Sequence, residues 1–235
     1  RLAYARRFLE NRNIHISPVY NGHIEPIALS DAYGEVCFWL MPYVHPDSVG
    51  GFFADRTIRN AQDAAQAVIG EMRVDTNKRN VILSHQFIIG GMTSDSERRN
   101  IGTLENVDAA LYDAFDYVAL GHIHSPQKVG REEVRYAGSP LKYSLSEVNH
   151  IKSVPLVTLG EKGKVSVELI PLSPMRDLRH IKGSIRELLD KKHVQSPEDF
   201  IYATLTDEEI VGDAMGIFQQ VYPNTVKIDY DNFHT

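Results

Sequence analysis

Hydrophobic and polar positions follow two different periods along the chain, and together they predict strands that alternate with helices. Residues 57–73 repeat their apolar positions about every 3.6 residues, as an amphipathic helix does. Residues 80–85 and 116–120 are short, mostly apolar runs, which favour buried strands. Strands that alternate with helices are typical of a sheet with helices packed on it, so we predict an α/β fold.

The same criteria predict elements along the rest of the chain. Further helices are expected at residues 1–11, 107–112, 184–191 and 212–221. Further strands are expected at residues 15–16, 24–29, 35–41, 134–137, 154–159, 164–170, 176–181, 200–205 and 225–230. The prolines of segment 171–174 predict a boundary. We therefore expect a larger α/β domain over residues 1–172 and a small α+β domain over residues 174–235.

The overall composition is that of a folded protein and excludes several classes. The 235 residues are 43% hydrophobic and 24% charged, which excludes a chain that is mainly disordered, collagen-like or coiled-coil. The apolar runs are far shorter than the ~20 residues that span a bilayer, so no membrane partner is expected. The formal net charge of −6 does not favour nonspecific coating of nucleic acid, but it leaves open an enzyme that binds phosphate through metal ions.

Cysteine chemistry is limited to Cys37, the single cysteine of the sequence. One thiol excludes an intramolecular disulfide framework and a cysteine-rich zinc site. Cys37 lies in an apolar run with Trp39, where a buried, inert thiol is expected. This use of cysteine is typical of a reducing compartment, and we expect the protein to be cytoplasmic.

Histidines follow two of the apolar runs at the point where each predicted strand ends. His85 follows one run, and Gly121, His122 and His124 follow the other. Ligands of open α/β sheets bind beyond the carboxyl ends of the strands, so these histidines are expected at one place. Two histidines at i and i+2 in extended chain share a face, and imidazole is a common ligand of Mn, Fe and Zn. The alternative is that His85, His122 and His124 are ordinary hydrogen-bonded residues at strand ends.

Three imidazoles do not complete a two-metal site for phosphoryl transfer. Two ions ~4 Å apart need a bridging group, usually a carboxylate, and further oxygen or nitrogen ligands. The spare carboxylates include Asp95, Glu97 and Asp116, and none has the position after a strand that a bridging ligand needs. Asp116 begins its predicted strand, at the opposite end. The residues alone therefore indicate metal binding without a full set of ligands.

The segment 81–147 closely resembles the SbcD family of bacterial nuclease subunits, within the calcineurin-like metallophosphoesterase superfamily. The G-H-x-H motif at 121–124 is shared by the whole superfamily, whereas the surrounding run is specific to SbcD. The matching segments are SHQF at 84–87, GG at 90–91, SDSE at 94–97, FDYVALGHIH at 115–124, RYAGSPLKYS at 135–144 and HIKS at 150–153. The fold implied by the resemblance is a layered sheet flanked by helices, followed by a small α+β capping domain.

The resemblance implies a nuclease that hydrolyses DNA phosphodiesters with two Mn²⁺ ions. In such enzymes the histidines that match His85 and His122 ligate one ion, and the histidine that matches His124 ligates the other. The resemblance further implies a role in DNA repair, recombination and replication, an ATPase partner called SbcC, and a homodimer within a heterotetramer. Other divalent metals are compatible with the same imidazole ligands.

The sequence departs from the family pattern upstream of His85. The family's D-x-H, G-D and G-N-H-D motifs, which supply its bridging aspartate, an asparagine ligand and the catalytic histidine, have no counterpart there. The family's C-terminal helical segment, which binds SbcC, has no counterpart either. By resemblance the chain is truncated at both ends and lacks half of its active site, so we expect it to be inactive alone.

Several weaker interpretations complete the picture. Arg98 and Arg99 are candidates for DNA contact because they can neutralise phosphates, and a solvated polar loop is the alternative. Lys142 and Tyr143 are weaker candidates for positions near the substrate. The remaining histidines, including His15, are interpreted as ordinary polar residues. Two other functions stay open: a metallophosphoesterase acting on a small phosphodiester or phosphomonoester, and a non-catalytic fragment that binds DNA or a partner.

Overall fold

The protein divides into two compact units. The computed structural model describes residues 9–96 and 105–231. The first unit runs to residue 139 and resumes over residues 153–170, and the second contains residues 140–152 and the chain from residue 171 onward. The two units therefore alternate along the chain: residues 140–152 belong to the second unit, and the chain then returns to the first unit before it continues in the second.

Residues 140–152 were expected in the larger domain, and they group instead with the smaller unit. Two contacts within the second unit account for this. The ammonium group of Lys142 lies 2.9 Å from the carboxylate of Asp177. The backbone N–H of Leu172 donates to the carbonyl of Lys152 at 2.8 Å. These contacts are made by side chains and backbone far apart in sequence, which the hydrophobic pattern does not report.

The strands and helices of the described residues follow the predicted order closely. The strands are β1 Ile27–Asp31, β2 Gly34–Leu40, β3 Arg79–Ser84, β4 Phe87–Ile88, β5 Asn106–Val107, β6 Tyr117–Leu120, β7 Gln127–Val129, β8 Arg131–Tyr136, β9 Ser153–Leu159, β10 Val165–Pro171, β11 Leu178–Gly183, β12 Phe200–Leu205 and β13 Thr225–Tyr230. The α-helices are α1 Pro46–Val49, α2 Ala61–Glu71, α3 Ile185–Leu188 and α4 Ala214–Gln219. Short 3₁₀ turns cover Gly50–Phe52, Ala109–Tyr112 and Leu145–Glu147.

Six strands of the first unit form one mixed sheet in the order β1-β2-β3-β6-β8-β7. The central strands β2, β3, β6 and β8 run parallel, and the two edge strands pair antiparallel with their neighbours. Ile82 in the middle of β3 is fully buried, as expected for a central parallel strand. A parallel centre in which α2 connects β2 to β3 confirms the predicted α/β fold.

Each face of this sheet packs against a different layer. On one face, Trp39 of β2 and Val118 of β6 belong to a buried cluster that includes Val68 of α2. On the other face, Val81 of β3 packs in a separate cluster with Val157 of β9. Successive residues of a strand point to opposite faces, which explains the two clusters. The layered sheet implied by the resemblance is therefore confirmed.

The second unit contains a three-stranded parallel sheet in the order β11-β12-β13. Its buried cluster includes Ile201 and Leu205 of β12 and Phe218 of α4. Helix α3 begins after Ser184, which forms a capping box with Glu187, as the sequence predicts. The order strand, helix, strand, helix, strand is the one expected for the small α+β domain.

The helix predicted at residues 107–112 is wrong. Residue 107 ends β5, and residues 109–112 form a single 3₁₀ turn. The turn starts at Asp108, whose carboxylate accepts the backbone N–H of Ala110, and the fully buried Tyr112 closes it. Apolar spacing cannot separate one 3₁₀ turn from a short α-helix, because both bring residues about three positions apart to one face.

Other predicted elements differ in smaller ways. Residues 15–16 do not form a strand, and α3 and α4 are shorter than predicted. Strand β7 was not predicted, because it is three residues long and begins with two polar residues. The predicted helix at residues 1–11 falls mainly outside the described residues. The predicted burial of Cys37 is confirmed, and burial raises the pKa of its thiol, with a further contribution from Glu35.

Candidate metal centre

His85 and His122 meet at the carboxyl ends of two neighbouring parallel strands. Ser84, the last residue of β3, pairs with Leu120, the last residue of β6. The backbone N–H of Gly121 then donates to the carbonyl of Ser84 at 2.9 Å, which keeps the two chains together past the strand ends. As a result the imidazole centroids of His85 and His122 lie 5.4 Å apart, with their planes at 89°. The sequence prediction that these strand ends converge is confirmed.

Backbone geometry at the second strand end is specialised for this approach. A Cβ atom at Gly121 would lie 2.7 Å from Nδ1 of His85, so a side chain there would displace the imidazole. His122 has a φ of 101°, which a non-glycine residue seldom adopts and which costs about 1–3 kcal/mol. Such strained positions are concentrated at functional sites, because the surrounding structure must hold them in place.

The surroundings of His85 favour its neutral imidazole. His85 is exposed on one side, yet partial desolvation lowers its pKa, and the neighbouring His122 lowers it further. A histidine must be neutral to ligate a metal. His85 therefore requires little or no proton release before it can act as a ligand near neutral pH.

His124 lies beyond the pair and has its own polar contact. Its Nδ1 atom is 2.6 Å from the hydroxyl of Ser96, and that hydroxyl is 3.0 Å from the hydroxyl of Ser94. Within residues 9–96 and 105–231, no group of three or more His, Cys, Asp or Glu side chains is assembled for a metal ion. The three histidines are thus arranged as one close pair and a third member nearby in sequence.

Two buried tyrosines hold the segment that carries His85, and the sequence analysis missed both. The hydroxyl of Tyr136 donates to the carbonyl of Gln86 and accepts the N–H of Ile88, each at 2.8 Å. The hydroxyl of Tyr112 lies 2.9 Å from that of Ser84, and burial raises the Tyr112 pKa to about 12. The sequence signal for such a role is weak: Tyr112 follows a short apolar run, Tyr136 follows Arg135, and a buried phenol usually has a polar partner.

Carboxylates do not complete the site within the part of the chain that is described. Asp116 accepts the N–H of Asn80 at 2.7 Å and the ammonium group of Lys162 at 2.8 Å, at the opposite end of the sheet. Asp116 directly precedes β6, as the sequence predicts. Asp95 belongs to no group of potential metal ligands among the described residues, and Glu97 falls outside those residues. The histidines present match the nitrogen ligands of a transition-metal site, whereas no carboxylate of the described residues is placed to supply its oxygen ligands.

The remaining candidates contribute less. Arg98 and Arg99 lie outside the described residues, so their predicted DNA contact stays a prediction. Lys142 is engaged by Asp177, and Tyr143 is exposed. His15, interpreted from sequence as an ordinary polar residue, lines the same open cleft as His85. That cleft, of about 460 Å³, lies at the carboxyl ends of β2, β3 and β6.

Comparisons with known proteins agree with this architecture. Residues 174–234 match the family SbcD_C, described as the Type 5 capsule protein repressor C-terminal domain. A protein from Staphylococcus epidermidis, named as the SbcD component of the nuclease SbcCD, is 33% identical over 232 residues, 97% of this chain and 61% of that protein. A protein of the same name from Staphylococcus saprophyticus subsp. saprophyticus is 33% identical over 237 residues, 99% of this chain and 62% of that protein.

The comparisons bear on the whole of this chain but on only part of its relatives. The chain spans about three fifths of the length of the curated relatives it matches. None of the helices in the described residues has the length and apolar character needed to cross a membrane. The resemblance to the SbcD family is confirmed: this chain is related to the SbcD components of SbcCD nucleases over almost all of its own length.

Proposed function

We propose that the chain forms part of a metal-dependent DNA nuclease subunit, with His85, His122 and His124 among its metal ligands. The observation that carries the proposal is the convergence of His85 and His122 at the ends of β3 and β6. Their centroid separation of 5.4 Å brings two imidazoles to one edge of the sheet, where α/β proteins bind ligands. The related proteins named as nuclease components support the same function.

The chemistry follows from the donors. Two Mn²⁺ ions, when bound, would supply a water of lowered pKa and positive charge for the phosphate. His85 and His122 would hold one ion, and His124 would hold the other. The role of this chain is to hold these imidazoles in position, with the absence of a side chain at Gly121 leaving room for His85. Within the described residues no group of three or more His, Cys, Asp or Glu side chains is assembled for a metal ion, so we expect the 235-residue sequence alone not to cleave DNA.

Partners and context follow from the relatives rather than from the contacts. The names of the relatives describe one component of a complex, SbcCD. We propose that this protein acts with the SbcC ATPase on DNA, as a dimer within a heterotetramer, in repair, recombination and replication. A cytoplasmic location fits these roles and the single buried thiol of Cys37.

Manganese binding to this chain is the first test. Calorimetry would compare the chain with a variant carrying both His122→Ala and His124→Ala. Weak binding that the double substitution abolishes is expected, because imidazoles are present and the bridging carboxylate is not. Two tightly bound ions, both lost in the variant, would mean that the ligand set is complete here and that our account of the oxygen donors is wrong.

Cleavage assays on a protein that carries the family's D-x-H, G-D and G-N-H-D motifs ahead of this sequence separate the remaining functions. We expect such a protein to cleave DNA with Mn²⁺, and to lose this activity with a chelator or with His122→Ala. Hydrolysis of small phosphoesters without DNA cleavage would favour a small-molecule phosphoesterase. DNA binding that is insensitive to chelators, with no cleavage of either substrate, would favour a non-catalytic role.

A further inference from the structure

A short chain of hydroxyl groups ends on the imidazole of His124. The hydroxyl of Ser96 lies 2.6 Å from Nδ1 of His124. The hydroxyl of Ser94, a buried residue, lies 3.0 Å from that of Ser96. The contact joins two segments that are 28 residues apart in sequence, so it results from the fold and not from local spacing.

We infer that Ser96 is a positioning residue for His124: its hydroxyl holds the imidazole at Nδ1, so that Nε2 is the atom that ligates a divalent cation. The inference rests on the proposed metal centre and assigns to that centre a residue outside its set of ligands. Nε2 of His124 is thereby assigned as the ligating atom, whereas the resemblance to known nucleases assigns no ring nitrogen in this chain.

The proton arrangement along the chain supports this assignment. A metal-bound histidine almost always donates its other ring N–H to an oxygen, which fixes the tautomer and the ring orientation. If Nε2 of His124 binds the cation, Nδ1 carries the proton and donates to Ser96. The Ser96 proton then points to Ser94. Each of these two protons has an acceptor within 3.0 Å.

A serine bonded to a histidine is also the arrangement of a nucleophilic serine, and the proton direction separates the two. In a nucleophile the serine donates its proton to the histidine, which acts as a base and is oriented by a third group on its other nitrogen. In the assignment made here the histidine donates to the serine. Reaction of Ser96 with a fluorophosphonate probe would therefore contradict the positioning role.

The first experiment needs no metal. Long-range ¹⁵N NMR of the histidine rings, at one fixed pH, would compare the unmodified chain with Ser96→Ala, Ser96→Thr and Ser166→Ala. Ser166 is an exposed residue of β10 and serves as the matched control. We expect Ser96→Ala to change the Nδ1 and Nε2 shifts of His124 while those of His85 stay the same. Ser96→Thr, which keeps the hydroxyl, should restore the His124 shifts.

The second experiment adds Mn²⁺ and follows the paramagnetic broadening of each histidine signal. Loss of an outer partner costs about 10- to 100-fold in metal affinity, so the Ser96→Ala chain should need that much more Mn²⁺ to broaden His124. The threonine variant and Ser166→Ala should stay within about threefold of the unmodified chain. Thermal unfolding of all variants should coincide, which distinguishes positioning from a loss of fold.

The outcomes are distinct. Unchanged His124 shifts and an unchanged Mn²⁺ requirement in Ser96→Ala would overturn the inference, as would broadening that identifies Nδ1 as the metal-bound atom. If Mn²⁺ broadens none of the three histidines in the unmodified chain, the proposed metal centre fails. The metal-free comparison still decides in that case whether Ser96 orients His124.

Discussion

Replacement of Tyr136 with phenylalanine measures how firmly the segment after β3 holds His85. Tyr136 is 1% exposed, and its hydroxyl makes two hydrogen bonds of 2.8 Å, to the carbonyl of Gln86 and from the N–H of Ile88. Phenylalanine keeps the ring and leaves both backbone groups without this partner. Each buried group left unsatisfied costs about 1–3 kcal/mol, so we expect a loss of about 2–4 kcal/mol after partial relaxation.

Tryptophan fluorescence provides the assay. Trp39 is the single tryptophan, and it is buried in the six-stranded sheet, so its signal reports unfolding of the first unit. For a chain of this size the expected loss lowers the melting temperature by roughly 4–16 °C. Tyr33→Phe, at an exposed tyrosine of the same unit, is the control and should change stability by less than about 0.5 kcal/mol. A Tyr136→Phe chain as stable as this control would refute the reasoning.

Two further substitutions and one labelling experiment test features away from the histidines. Asp116→Ala should destabilise the first unit by about 1–3 kcal/mol, because it leaves the buried N–H of Asn80 without this acceptor. Urea unfolding followed by Trp39 fluorescence measures the loss, and an unchanged stability would show that this contact is dispensable. Glu147→Gln should lower the free energy of unfolding by about 3–5 kcal/mol and speed amide exchange in the second unit, because it removes the charge partner of Lys152, and the two side chains are buried with their ammonium and carboxylate groups 2.5 Å apart. Unchanged exchange would contradict this prediction. Cys37, whose pKa is raised by burial, should react with a thiol reagent at pH 8 only on unfolding, whereas rapid native labelling would place it at the surface.

The sequence predicts the position of His85 and His122 because that position depends on local order alone. Each histidine follows an apolar strand, and parallel neighbours end at the same edge of the sheet, so two local patterns specify one place. The contacts of Ser96 with His124 and of Tyr136 with Gln86 connect residues 28 and 50 positions apart. No periodicity reports such pairs, because they depend on how the loops return to the sheet.

The two ends of β6 show why similar polar residues have different roles in this fold. At its amino end, Asp116 is 5% exposed at the side chain and accepts hydrogen bonds from Asn80 and Lys162, so its oxygens serve the packing of the sheet. At its carboxyl end, Gly121 leaves room for the imidazole of His85, which lines an open cleft, and His122 has a positive φ. A carboxylate already committed to backbone N–H groups cannot move to a metal without leaving a buried donor unpaired. The oxygen ligands of the proposed centre must therefore come from residues other than the acidic group nearest to it in sequence.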